Sequence, residues 1–305
     1  MYQPRPSIGE AMREVRTKSQ LAKLLAYLHI RPSKSLGQNF LVDHNLLEAI
    51  VREAEVGRND LVLDIGCGTG LLTAHLADAA GHVIGIELHR GLFAVCSRYL
   101  EGRENVTLLC GDALASKHAL SPALLDATRT ALATGRFTGL RVVSNLPYCV
   151  ASLLIPNLLE SGLPIAVMVV TVQKEVGQRL AAAQDSPDFG ALSLLVQVHG
   201  RVEVLRWVPP EVFWPRPKVA SCIVRVRPGP GPKDRLKDLG AFRALVRAAF
   251  AHRRKTLANS LAASKLVADP AALLAICGIA PNARAQDLPL EDYVRLANEL
   301  APAAP

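Results

Sequence analysis

Four short segments carry the residue types that a chemical site needs. "VLDIGCGTG" places Asp64, Gly66, Gly68 and Gly70 between an apolar run and a helical pattern. Glycines at such a turn let the main chain approach a ligand closely. In an open α/β sheet the crevice after the first strand is where nucleotide-like ligands bind. Glu87 ends the next apolar run, 21 residues after Gly66, where a carboxylate can accept from both hydroxyls of a ribose. Asp112 ends the third run, in "LLCGDAL", and could accept from an adenine amine. "SNLPY" (144–148) then sets an amide, a proline and an aromatic at the end of a fourth. Taken alone it could be a turn; on the same rim as the other three it reads as a rigid cup of acceptors with an aromatic wall.

These residues need a frame to hold them, and the sequence supplies one. "LVLDI" (61–65), "HVIGI" (82–86), "VTLLC" (106–110), "LRVVS" (140–144) and "IAVMVV" (165–170) read as strands. Helical patterns lie between them at 71–80 and 90–100, and the long Ala-rich connection 113–139 predicts another. Near-continuous apolar strands alternating with helices predict a mostly parallel, doubly wound α/β sheet covered on both faces. Beyond residue 200, "RVEVLRWV" and "ASCIVRVR" read as strands around a Pro-rich loop, and "RPGPGPKDR" (227–235) as a linker. Only helical patterns follow, at 241–251, 256–263, 269–277 and 290–300.

The glycine pattern is GxGxG, because Leu71 stands where a dinucleotide fingerprint needs its third glycine. With Glu87 and Asp112 at successive strand ends, the set resembles the cofactor site of Rossmann-like class I S-adenosylmethionine methyltransferases. This is favoured over a nicotinamide cofactor. An adenine exocyclic amine is a poor nucleophile, since its lone pair is delocalised into the ring. If the Asn145 side-chain oxygen and the Leu146 carbonyl accept its two N–H groups, the lone pair is aimed at the methyl donor. Pro147, with φ locked, makes the loop rigid, and Tyr148 can stack on the base. The gain is orientation and electrostatic complementarity, with no general base needed before attack. A base inside a helix must leave its stack to reach such a cup. Phe213, in "PPEVFWPRPK", is expected to be an exposed second aromatic, with Arg216 and Lys218 beside it for phosphate.

"SLGQNFL" (35–41), "DIGCGTG", "GIE", "GDAL", "SNLPY", "VQKEV" (172–176), "FWPRPKVAS" (213–221) and "RRKTLANSL" (253–261) together resemble the KsgA-type small-subunit rRNA adenine dimethyltransferases. The resemblance covers roughly residues 33–300. It implies that Gln38, Asn39 and Leu41 close over S-adenosylmethionine, and that Asp64, Gly66, Gly68, Glu87, Asp112 and Asn145 hold it. It implies Asn145, Leu146, Pro147 and Tyr148 as the acceptor-amine motif and Phe213 as the base-stacking aromatic. The implied activity is dimethylation of two adjacent adenosines in the hairpin loop near the 3′ end of small-subunit (16S) rRNA, on an immature ribosomal subunit. Asp64 stands where many bacterial members have Glu, which preserves the carboxylate. The rivals are a large-subunit rRNA adenine methyltransferase of the antibiotic-resistance type, a non-catalytic RNA-binding assembly factor on the same scaffold, and DNA adenine methylation.

Three domains are expected: an N-terminal helical extension (1–32), whose "SIGEAMREVRTKSQLAKLLAYL" reads as one amphipathic helix; a methyltransferase domain (33–230); and a C-terminal helical rRNA-binding domain (236–305). The net charge of +8 is unevenly spread. From Arg201 to Thr256 there are 14 Lys/Arg against four Asp/Glu, and the first 40 residues hold seven against two, which points to a polyanionic partner. Arg216, Lys218, Arg253, Arg254 and Lys255 are the expected RNA contacts. The six cysteines show no paired spacing and the eight histidines no metal-binding pattern. Reduced, buried thiols, no metal, a cytoplasmic monomer without a secretory signal, and no membrane segment are therefore expected.

Overall fold

The computed structural model describes residues 7–33, 36–252 and 254–301. The chain forms two units. One takes the chain up to Gly177 and returns for Glu203–Arg227; the other takes Gln178–Val202 and the chain from Pro228 onward.

The first unit is built on a seven-stranded sheet. Its strands are β1 (Asp60–Ile65), β2 (His82–Glu87), β3 (Val106–Cys110), β4 (Gly139–Asn145), β5 (Ile165–Gln173), β6 (Gly200–Val208) and β7 (Ser221–Pro228). Their spatial order is β3-β2-β1-β4-β5-β7-β6. The pairs β1–β2, β1–β4, β2–β3 and β4–β5 are parallel, and β7 runs antiparallel to β5. The strand order reverses between β1 and β4, so a crevice opens above their C-terminal ends. Every residue of β1 is buried, as a central strand covered on both faces requires.

The helices, in chain order, are α1 (Ile8–Arg13), α2 (Lys18–Tyr27), α3 (His44–Glu53), α4 (Leu71–Ala79), α5 (Arg90–Tyr99), α6 (Pro122–Ala133), α7 (Ala151–Leu159), α8 (Lys174–Leu180), α9 (Ala191–Gln197), α10 (Leu239–Phe250), α11 (Leu257–Ser264), α12 (Pro270–Ile276) and α13 (Leu290–Leu300). Two-residue strands Phe40–Leu41 and Phe213–Trp214 pair antiparallel, which brings the Gln-Asn-Phe segment against the Pro-rich loop. The 113–139 connection holds α6 as expected, and also a small hairpin of Leu114–Ser116 with Ala119–Leu120.

The N-terminal stretch is two helices, where a single one was expected. Thr17 starts α2 afresh by accepting from the Gln20 amide, while the Gln20 side chain returns to the Thr17 amide. Met12, Val15, Leu21 and Leu25 are buried in the same core as α3, α4 and the sheet. The extension therefore packs as part of the first unit's body. The expected 33–230 boundary also differs from the packing. Phe189, Leu194 and Val198 share a core with Phe242, Leu245, Leu261 and Tyr293, because α9 turns its apolar face to α10. In that core the Phe250 ring lies between those of Phe189 and Tyr293, and the Tyr293 hydroxyl donates to the Ala285 carbonyl at 2.7 Å.

Four of the six cysteines are buried, but Cys110 and Cys149 are exposed, which corrects the expectation for those two. Each ends or follows a strand at the C-terminal rim of the sheet, where side chains leave the core. Among the described residues no helix is long and apolar enough to cross a membrane.

Candidate active site

A cavity of about 320 Å³ opens above the C-terminal ends of β1, β2 and β4, within the first unit. Gln38, Asn39, Gly66, Gly68, Glu87 and Asp112 line it. Asn145, Leu146 and Pro147 line it as well, so the structure brings together nine of the residues expected there.

The glycine loop is held by its neighbour strand. The Gly66 and Cys67 amides donate to the Ile86 carbonyl at 2.8 and 3.2 Å. Glu87 is buried and clamps the loop directly: one carboxylate oxygen accepts from the Gly68 amide at 2.9 Å, the other from the His89 amide at 2.8 Å. Each oxygen keeps lone-pair capacity toward the cavity, since a carboxylate offers about four acceptor sites. Gly66 has φ +74°, and a Cβ there would lie 2.7 Å from the Pro147 ring. No other residue type permits both the left-handed turn and this contact. The glycine loop and the acceptor loop are thus packed on each other. Asp112 sits exposed at the opposite wall, its Oδ1 accepting from the Leu114 amide at 2.9 Å.

In the acceptor loop, Asn145 donates through Nδ2 to the Asn39 main-chain oxygen at 2.8 Å. Its Oδ1 is buried and has no partner among the described residues. A buried, unpaired carbonyl oxygen is costly, and since the Asn145 side chain lines the cavity, this oxygen is an acceptor awaiting a donor. Gln38 is fixed by the Ser33 amide, which donates to its side-chain oxygen at 2.7 Å.

Four expected site residues lie elsewhere. Asp64 is buried beneath the loop, beside a separate cavity of about 30 Å³. It accepts from the Thr73 hydroxyl at 2.7 Å. Burial pushes its carboxyl up to about 7, against the lowering effect of Thr73, and Glu87 adds to the rise. Leu41 also lines this smaller cavity, together with Phe40. Tyr148 is half-buried, and its hydroxyl meets the Ser221 hydroxyl at 2.5 Å. Burial pushes the Tyr148 hydroxyl up to about 12. Phe213 corrects the expectation of an exposed stacking aromatic. It is only 1% exposed, pairs with Leu41, and meets the edge of Tyr148 at 6.4 Å, so neither face is open to a base.

Of the expected RNA contacts, Arg216 and Lys218 are exposed in the first unit, and Arg216 is ion-paired with Glu211. Arg254 and Lys255 are exposed in the second unit. Arg253 lies outside the described residues. Two partners escaped the sequence reading, Thr73 and Ser221. Each is a small hydroxyl residue in an apolar stretch, a signal visible only after its burial is known.

The sequence pattern of the family described as ribosomal RNA adenine dimethylase matches residues 30–302. The chain belongs to that family. It is 40% identical over 294 residues to ribosomal RNA small subunit methyltransferase A of Moorella thermoacetica, covering 95% of this chain and 99% of that one. A solved dimethyladenosine transferase from Plasmodium falciparum superposes with TM-score 0.64 at 25% identity, covering 83% of this chain and 94% of that one. The 23S rRNA methyltransferase ErmE shares the fold, with TM-score 0.59 at 24% identity over 86% of this chain and 99% of its own. The class I methyltransferase fold of the family is the one described above, and the family's members are enzymes.

The cavity fits S-adenosylmethionine, the methyl donor of such enzymes. Its volume is that of a small-molecule site. Gly66 and Gly68 leave the wall free of side chains, two carboxylates stand at separate strand ends, and Ile86, Leu88 and Leu92 supply apolar surface between them.

Proposed function

We propose that this chain uses S-adenosylmethionine to dimethylate the exocyclic amines of two adjacent adenosines in the 3′-terminal hairpin loop of small-subunit (16S) rRNA. It acts as a monomer in the cytoplasm, on an immature ribosomal subunit. The observation that carries the reading is the buried, unpartnered Oδ1 of Asn145, whose side chain lines the cavity beside the glycine loop.

Bound S-adenosylmethionine supplies an electrophilic methyl carbon on a positively charged sulfur. Glu87 and Asp112 would hold its ribose and adenine, and the Gly66–Gly68 backbone, Gln38 and Asn39 would complete its site. Asn145 Oδ1 and the Leu146 carbonyl accept the two N–H groups of the adenine amine, which turns the nitrogen lone pair into the cavity. Pro147 keeps the Leu146 carbonyl in place. Tyr148, anchored by Ser221, is the wall beside the incoming base. Arg216 and Lys218, with Arg253, Arg254 and Lys255 of the helical C-terminal region, take rRNA phosphates.

The test is mass mapping of methylated adenosines after incubation with the cofactor and immature small subunits, with large-subunit RNA in parallel. Two adjacent dimethyladenosines in the small-subunit RNA are expected. Methylation confined to large-subunit RNA overturns the substrate assignment. Asn145→Ala should still bind RNA and lose most methyl transfer; a non-catalytic assembly factor would be indifferent to it.

A further inference from the structure

With Phe213 buried, the rim of the sheet has a different aromatic open to solvent. Trp207, near the end of edge strand β6, is 51% exposed. The Lys174 ammonium lies 5.6 Å from the centre of its ring. Lys174 directly follows the last residue of β5, and its amide donates to the Ala220 carbonyl at 2.9 Å. This places Trp207 at the C-terminal end of the parallel strands, the end that carries the acceptor loop. Lys218 and Val219 are exposed just before Ala220. Among the described residues, Lys174 and Lys218 have no carboxylate within ion-pair distance.

The patch is continuous with the acceptor site. Gln173 pairs with Ser221, and Ser221 holds the Tyr148 hydroxyl. Going from β4 through β5 and β7 to β6 crosses three strand spacings, about 14 Å.

Edge strands are commonly guarded by charged residues against pairing with other chains. The arginines of β6 answer that need, whereas a half-open indole does the opposite. An aromatic face beside unpaired ammonium groups matches single-stranded nucleic acid, where bases stack and phosphates seek cations. The Lys174 ammonium stands over one side of the indole, and half of the Trp207 side chain is open to solvent.

We propose that Trp207, with Lys174 and Lys218, is a stacking platform for an unpaired nucleotide flanking the target adenosine in the substrate RNA. The proposal rests on the RNA-methylating reading above.

The experiment titrates the whole protein with a short single-stranded oligoribonucleotide containing two adjacent adenosines, and follows indole fluorescence. The same variants are assayed for methyl transfer on immature small subunits, with thermal unfolding confirming the fold. Stacking should quench the wild-type signal, and Trp207→Tyr should abolish that quenching although Trp214 remains. Trp207→Ala should raise KM for RNA about tenfold, with the loss confined to KM, as stacking removed from one base predicts. Trp207→Tyr should restore most of the affinity, and Lys174→Ala should weaken binding at low salt and flatten its fall as salt rises, since one fewer counterion is released. A folded Trp207→Ala with unchanged KM and RNA affinity overturns the platform. So does quenching by the assembled particle but not by the oligoribonucleotide, which would mark a protein contact. If the wild type fails to methylate small-subunit RNA, the functional reading falls, and the fluorescence titration still decides for or against the platform.

Discussion

Asn145 Nδ2 donates to the main-chain oxygen of Asn39 at 2.8 Å, and this bond fixes the orientation of the amide and leaves its Oδ1 buried and unpartnered among the described residues. A flipped amide would present N–H groups to an incoming amine and repel it. The segment that carries Gln38 and Asn39 therefore also orients the Asn145 amide. Asn145→Asp keeps an oxygen in the cavity but cannot donate to Asn39, so the carboxylate and that carbonyl would repel. We expect the fold to be retained and kcat to fall by about 100-fold or more, the scale for losing one preorganised polar contact to the reacting group. Single-turnover methyl transfer measures this; a rate within a few-fold of wild type removes the orienting role from the Asn39 contact.

Gly66 and Pro147 tie the two halves of the site together. Gly66→Ala must accommodate both φ +74° and a Cβ 2.7 Å from the proline ring. The left-handed conformation alone costs about 1–2 kcal/mol. We expect a lower unfolding midpoint and a severe loss of cofactor affinity. In a Pro147→Ala background the second penalty is absent, so Gly66→Ala should cost less stability there. A double-mutant cycle by urea unfolding checks this; strictly additive effects would mean the loops relax apart freely.

Much of this arrangement is legible in the sequence because it follows strand ends. Asp64, Glu87, Asp112 and Asn145 each close an apolar run, and the runs became strands within a residue or two of where they were expected. What escaped depends on contacts between distant segments. Phe213 looks exposed among prolines, yet its two-residue strand pairs with Leu41 far earlier in the chain and draws the ring inside. Asp64 belongs to the glycine signature, but its partner Thr73 lies on α4 and turns it away from the main cavity. The break between α1 and α2 is a local signal, since Thr17 and Gln20 spell a capping box that hydrophobic periodicity alone overlooks.

The N-terminal helices carry a stability prediction. Leu25 on α2 is fully buried in the core that also holds Leu47 and Ile50 of α3. Leu25→Ala should destabilise the first unit by about 2–5 kcal/mol through lost burial and a residual cavity. Methyl transfer per folded molecule should be unchanged, since Leu25 is not among the residues that line the cavity. Chemical unfolding alongside steady-state kinetics separates the two; an unaltered unfolding midpoint would show that α2 is held only loosely.

Asp64 predicts how stability varies with pH. Its carboxyl is raised from the ordinary 3.8 to about 7, chiefly by burial. Below about pH 4 it is protonated in the folded and unfolded chains alike, and its favourable contribution is fully present. Between pH 4 and 7 the folded chain retains a proton that the unfolded chain has released, so stability falls as pH rises. Above pH 7 the buried carboxylate is charged and the penalty is constant. Asp64→Asn keeps an acceptor for Thr73 without a charge. Its stability relative to wild type should therefore rise between pH 4.5 and 8 by a few kcal/mol, the order that linkage gives for such a shift. Urea unfolding of both proteins at the two pH values tests this, because groups common to both cancel in the difference. A difference that does not change with pH would place the Asp64 proton equilibrium in the ordinary carboxylate range and show the site beneath the glycine loop to be wetter than its packing indicates.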